Sequence, residues 1–274
     1  MIYLKIIVFI TVFSLSMLAN SLQSVDVWTY YQNPPFVVSS ENNHGLTYKF
    51  FCYLNIKYKD KMEFNVHFIP KRRINYYLSK GEAGVVPWVS PLFFNDKNMD
   101  HYLWSQSIID DQQDIISLAT NKVTYSNKHA LTGLLVGAII GHRYIVIDDL
   151  VENKLMFRKN FRNEEIVLNV LLNNRVDFIT LPRSTIQFYI KSLKLEEKLY
   201  ISPKPLQAYS RRLLITPNLK SVHQFFIKIL PELIESPTWF FIEEQHAAFD
   251  KNVKLSKEHL SEEEATYIKA CEPL

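Results

Sequence analysis

The chain has 274 residues, of which 47% are hydrophobic and 22% charged, with a formal net charge of +3. That length allows one large domain or two modest lobes with a real core. The charge is too small to support a nucleic-acid partner, and the Lys71-Arg72-Arg73 cluster is a short basic run of the kind that ordinarily faces solvent. The eight histidines and two cysteines show no metal-ligand spacing, and no cofactor motif is present.

The first segment, "MIYLKIIVFITVFSLSMLANS", carries one positive charge, Lys5, then an apolar run over residues 6–18, then Ala19-Asn20-Ser21. Small residues at the first and third of those places fit an exported leader cleaved after Ser21. The apolar run is short for a membrane span, which needs about 20 residues; the alternative is an uncleaved anchor. Export permits a disulfide. Cys52 and Cys271 are read either as a buried thiol plus a tail thiol, or as a bridge between tail and body.

Alternation over residues 25–29 predicts a first strand. "TYYQNPPFVV" follows, a stiff loop with Tyr30, Tyr31 and Phe36 around Asn33-Pro34-Pro35. His44-Gly45 opens a helix with Leu46, Phe50, Leu54 and Tyr58 on one face. Residues 64–69 form a second strand that stops at Pro70. A helix over 73–80 turns Ile74, Tyr77 and Leu78 inward and ends at Gly81. Val85-Val86 is a short strand ending in Pro87-Trp88. This alternation predicts an α/β layer with parallel strands.

The stretch 113–119 is extended, and 120–129 reads as surface loop. Residues 134–140 form a strand ending at Gly141-His142-Arg143-Tyr144. Asn163 caps a helix over 164–172. Residues 176–181 form a strand, and Ser184 caps a helix with Ile186, Tyr189, Ile190 and Leu193 inward. Residues 211–216 form a late strand. A helix from Leu219 is interrupted at Pro231, and Ser261-Glu262-Glu263-Glu264 fits a capping box.

Ligands of open α/β sheets bind beyond the carboxyl ends of strands. Those ends carry Tyr30, Tyr31 and Phe36; Trp88 and Ser90; Gly141, His142, Arg143 and Tyr144; Pro182, Arg183 and Ser184. Aromatics with a few polar groups are the usual lining of a small-molecule cleft. Tyr30, Tyr31 and Trp88 are expected to stack on a ligand, and Arg73 and Arg143 to meet its anionic part. Each has a structural alternative: Phe36 and Trp88 as core, Arg143 and Arg183 as solvated surface. Enzyme signatures are lacking, and adjacent Asp110 and Asp111 point to opposite faces of an extended segment. No catalytic residue is assigned.

The order of these pieces resembles a known family. "YYQNPPF", "HGLTY", "FIPKRRINYYLSKGEAGVVPWVSP", "YLWSQSII", "LTGLLVGAIIGHRY", "NNRVDFITLPRST" and "SRRLLITP" together are similar to the bacterial family 3 extracellular solute-binding proteins, periplasmic receptors of polar amino-acid-type ABC transporters. The resemblance implies an α/β, two-lobed type II (Venus-flytrap) fold joined by two crossing hinge strands, near 113–119 and 211–216. It divides the chain into a signal peptide (1–21), the first part of lobe 1 (22–112), a hinge strand with lobe 2 (113–210), and a return strand completing lobe 1 with C-terminal helices (211–274). It implies a monomer that captures a small polar or aromatic-bearing solute between its lobes for an inner-membrane permease. The alternatives are a ligand-presenting accessory to a membrane sensor, a ligand-free interaction protein, or a cyclic-acid dehydratase.

Departures from the family pattern bear on the solute. Amino-acid-binding members commonly carry an arginine about five residues beyond the serine of the third-strand loop; here 90–96 has none. The glycine turn of the second lobe offers His142, Arg143 and Tyr144 rather than threonines, and Pro182 stands where an aspartate usually follows the later strand. Some branches place an arginine where Arg73 lies, opening the second helix. The candidate ligand-binding set is therefore Tyr30, Tyr31, Phe36, Arg73, Trp88, Ser90, Arg143, Tyr144 and Ser184, and an ordinary α-amino acid fits it poorly.

Overall fold

The structure, a computed structural model, describes residues 22–30, 32–245 and 260–272. The leader read over 1–21 and the candidate Tyr31 lie outside the described residues.

Alternation builds the first strand. In β1 (Gln23–Thr29) Val25 and Val27 face one side of the sheet and Trp28 the other. The aromatic loop then folds back over the start of α1 (Leu46–Lys57). Leu46 N–H donates to the Pro35 carbonyl at 2.8 Å and Thr47 N–H to the Phe36 carbonyl at 3.0 Å. Both are donors that a helix start leaves without an internal partner. Gly45 makes the approach possible: it has φ 131°, and a Cβ there would stand 2.6 Å from the Phe36 oxygen.

β2 (Met62–Phe68) and β3 (Val85–Val89) flank β1 and run parallel to it. α2 (Lys71–Lys80) between them buries Ile74 and Leu78, and Gly81 ends it in the left-handed region. β3 continues through Pro87 and Trp88. Its pairing with β10 (Gln207–Ile215) matches Arg212 to Val89 but Leu214 to Val86, so β3 carries one extra residue there. The bulge includes Trp88, at φ 61°. It sends the indole to the α1 side of the sheet while Val86 and Val89 stay on the α2 side.

The rest of the chain forms β4 (Leu103–Trp104), β5 (Ile109–Leu118), β6 (Leu135–Ile139), α3 (Ile145–Glu152), β7 (Phe157–Phe161), α4 (Glu164–Leu172), β8 (Phe178–Pro182), α5 (Arg183–Leu193) and β9 (Leu199–Ile201). After β10 come α6 (Lys220–Leu233), α7 (Pro237–Gln245) and α8 (Glu262–Ala270). The strand path is β2-β1-β3-β10-β5-β8-β6-β7. A parallel triad stands at each end, β2-β1-β3 and β8-β6-β7, and antiparallel β10 and β5 join them. These two are the crossing strands. They pair over Ile109 to Gln113 and Gln207 to Arg211, so each begins four residues before the sequence-based position.

Each half has apolar layers on both faces of its strands. In the first, Val27, Phe50, Leu54, Trp88, Phe226 and Trp239 pack on one side, and Trp28, Ile74, Val86 and Leu214 on the other. In the second, adjacent residues split the same way: Ile115 and Phe178 join Ile147 and Leu150, while Ile116 and Ile179 join Val167 and Leu171. Each such side chain contributes about 1.5–3 kcal/mol when fully buried.

Several local expectations change. The helix after Leu219 runs through Pro231 to Leu233, because Leu230 and Leu233 on either side are both buried in the core. Ser184 is the second residue of α5 and not its cap; Pro182 holds the cap position, and Leu193 is exposed. The loop 120–129 buries Val123 and Tyr125, whose N–H groups donate to Ser117 Oγ and Ser202 Oγ. Asn163 does cap α4, accepting from Ile166 N–H at 2.9 Å, and Ser261 caps α8. Cys52 and Cys271 form a disulfide, Cα to Cα 5.8 Å, which closes α8 onto α1. Among the described residues, no helix is long and apolar enough to cross a membrane.

Candidate functional site

The two halves meet over a buried polar junction. Asp111 on β5 and Arg211 on β10 are almost fully withdrawn from solvent. Arg211 Nε donates to Asp111 Oδ2 at 2.7 Å, Nη1 to the Trp88 carbonyl at 2.9 Å and Nη2 to the Tyr209 hydroxyl at 3.1 Å. Its guanidinium carbon lies 4.4 Å from the centre of the Phe36 ring. Asp111 also accepts the Ser184 hydroxyl at 2.8 Å and, through Oδ1, the N–H groups of Ser184 and Gln112. A buried ion pair persists only when its remaining donors and acceptors are satisfied in this way. The set links the β3 end of the first half to the α5 start of the second. Beside it, Asn33 Nδ2 donates to Thr185 Oγ1 at 2.9 Å, both residues buried.

A second group of side chains lines the mouth. Lys71, the first residue of α2, holds its ammonium 5.3 Å from the centres of both the Tyr30 and Phe94 rings. Desolvation there lowers the lysine pKa. The opposite half presents the turn after β6. Gly141 takes φ 78°, and His142 Nδ1 lies 3.3 Å from the hydroxyl of Tyr144, which is buried. Arg158 of β7 holds this turn from beneath: it pairs with Asp148, donates to the His142 carbonyl at 2.9 Å and lies over the Tyr144 ring. Desolvation, then Lys71, then Arg158 push the His142 pKa down to about 4. Burial raises the carboxyl of Glu164, at the head of α4, above the usual range.

The sequence candidates among the described residues fall into four places. Phe36, Trp88 and Ser184 surround the Arg211–Asp111 pair. Phe36 and Trp88 have no exposed surface, and the Trp88 indole N–H donates to Thr47 Oγ1 at 2.9 Å while its rings stack on Trp239. Tyr30, half-buried, and Tyr144 belong to the mouth, with Arg143 exposed beside His142. Ser90 is buried at the head of the 3-10 turn Pro91–Phe94. Arg73 is exposed two residues after Lys71, on another face of α2. Arg183 is not free surface: it forms a two-point ion pair with the fully buried Asp114 carboxylate, at 2.6 and 3.1 Å.

Sequence reasoning missed Arg211, Asp111, Asn33, Thr185 and Lys71. The first four acquire partners tens to hundreds of residues away, which no local pattern encodes. Lys71 has a local signal: it follows Pro70 at the carboxyl end of the second strand, a fifth strand end, although the basic run around it reads as a solvated face.

No family model and no curated protein matches the sequence. Solved structures do. An ancestral arginine-binding protein bound to arginine superposes with a TM-score of 0.62 at 18% identity, covering 81% of this chain and 97% of that one. The GluR0 ligand-binding core complexed with L-glutamate gives 0.63 at 12% identity, covering 83% and 99%. An arginine third transport system periplasmic binding protein from Legionella pneumophila gives 0.60 at 19%, covering 82% and 100%. The chain therefore has the α/β, two-lobed fold of periplasmic binding proteins, with β5 and β10 as its hinge strands.

Proposed function

We propose that the chain is an exported solute-binding protein that captures a small solute between its lobes and delivers it to an inner-membrane ABC permease. The observation that carries this reading is the two-lobed fold with Lys71 and Tyr30 after the strands of one lobe and His142 and Tyr144 after a strand of the other, at carboxyl ends where such folds bind ligands. The similar structures are named as binding proteins of amino-acid transport systems, which supports binding rather than catalysis.

In this reading residues 1–21 are a cleaved leader and the mature protein is a periplasmic monomer. Lobe 1 comprises 22–112 and 211–274, and lobe 2 comprises 113–210. Tyr30, Tyr31, Arg143 and Tyr144 contact the solute. Phe36, Trp88, Ser90 and Ser184 shape the floor, and Arg73 stands at the rim. The test is to express the full chain, isolate the periplasmic fraction and weigh the protein by native and by denaturing mass spectrometry. A mature chain beginning at Leu22, heavier by one small molecule in the native spectrum, is the expected result. A chain retained in the cytoplasm with its leader uncut would contradict it.

A further inference from the structure

The charged groups at the lobe junction are unevenly matched. Three carboxylates there already hold a cation of the same chain: Asp111 with Arg211, Asp114 with Arg183, and Asp148 with Arg158. Two cations hold no carboxylate: among the described residues neither Lys71 nor Arg143 has one within 4.0 Å. Lys71 is nonetheless fixed in place, with its ammonium between the Tyr30 and Phe94 rings and 3.5 Å from the Phe93 carbonyl. Lys71 keeps an exposed surface, so its ammonium is open to a ligand anion, with which it would form a charge-assisted hydrogen bond.

The buried junction also limits the ligand. Arg211 occupies the Trp88 carbonyl and, with the Ser184 hydroxyl, Asp111 Oδ2, while the N–H groups of Gln112 and Ser184 fill Asp111 Oδ1. The acceptors that would receive a ligand ammonium at the hinge are thus used by a resident guanidinium. From these placements we infer that the cleft takes a small organic carboxylate without an ammonium group, its anionic end on Lys71 and facing His142. This rests on the solute-binding reading and names the class of solute.

The groups around His142 give the inference a signature. Lys71 comes from α2 of the other lobe, Arg158 from β7 with Asp148 beside it, and the Tyr144 hydroxyl from its own turn; Glu164 acts on Tyr144. The two cations help hold the imidazole neutral. An anion seated among them favours the imidazolium, so binding takes up a proton. Affinity for a carboxylate should rise as pH falls from 7 to 5, a range in which simple carboxylates remain mostly ionised. A cationic ligand would show the reverse slope.

The experiment is calorimetric titration of the mature protein, freed of carried-over solute, with succinate, benzoate, L-arginine and benzylamine. A carboxylate should bind. Lys71→Met, which keeps the alkyl stem between the rings, should weaken it at least tenfold, Lys71→Arg should recover most of that, and Arg72→Gln should change nothing. His142→Gln should flatten the pH slope without unfolding the protein. Binding of arginine or benzylamine in preference to both acids would overturn the charge inference and leave the solute-binding reading standing. Binding of none of the four would overturn the inference, and a thermal-shift screen over wider solute classes would then decide the receptor reading separately. A carboxylate that binds equally well to Lys71→Met would also overturn it.

Discussion

Asp111 Oδ2 and Arg211 Nε lie 2.7 Å apart at the crossing of the two hinge strands, with both side chains essentially closed to solvent. Because Arg211 also holds the Trp88 carbonyl and Asp111 also holds Ser184, the pair is the point where the two lobes share one hydrogen-bond network. Removing one partner strands a buried charge. Asp111→Ala should cost about 3–5 kcal/mol in urea unfolding. Asp110→Ala, on the exposed face of the same strand, should cost under about 0.5 kcal/mol.

Trp88 is a core residue first. It has no exposed surface, it stacks on Trp239 and packs edge-on against Phe50, and its indole N–H is bonded to Thr47. Trp88→Ala should lower stability by about 3–5 kcal/mol. Thr47→Val, which keeps the shape and leaves the indole N–H unpaired, should cost about 1–3 kcal/mol. Chemical denaturation of the unliganded protein reads both.

The Cys52–Cys271 bridge ties α8 to α1 across a sequence separation of 219 residues. Its removal frees the unfolded chain and loosens the helix that buries Ile268. The Cys52→Ser, Cys271→Ser double variant should be less stable by about 2–5 kcal/mol. Thermal unfolding with and without reductant should show the same drop in the native protein and none in the variant.

Acid should weaken the unliganded protein through His142. Its folded pKa, about 4, lies below the unfolded value near 6.5. Between those values the unfolded state binds more protons, so stability falls as pH drops from about 6.5 towards 4. His142→Gln should remove that part of the slope. Imidazole proton shifts followed by NMR across pH 3.5–7.5 give the folded titration directly; a midpoint near 6.5 would contradict it.

Much of this architecture was legible because it rests on local signals. Val25, Val27 and Trp28 alternate, Gly81 ends α2, and Asn163 caps α4 as the sequence indicated. The hinge strands were placed late because their first residues are polar. Asp111 reads as part of an extended segment, but the sequence does not show its partner, Arg211, a hundred residues on. α3 and β7 escaped notice for a different reason: β7 is an edge strand, and residues 157–161 bury little. Trp88 after Pro87 looked like a strand end, but a bulge carries β3 past it and turns the indole inward. The sequence also shows Lys71 plainly, yet only the fold puts Tyr30 and Phe94 around its ammonium.

Capture of a solute between the lobes is tested most directly by thermal shift. The protein, as residues 22–274, stripped of carried-over ligand and shown to be folded, would be screened against organic acids, aromatic acids, amino acids, small peptides and polyamines. A ligand at a hundredfold excess over its Kd adds about 2.7 kcal/mol to the folded state, which a melting curve resolves. The expected result is a concentration-dependent rise in Tm with at least one organic or aromatic acid, lost in Lys71→Met. An unchanged Tm across every class would contradict solute capture.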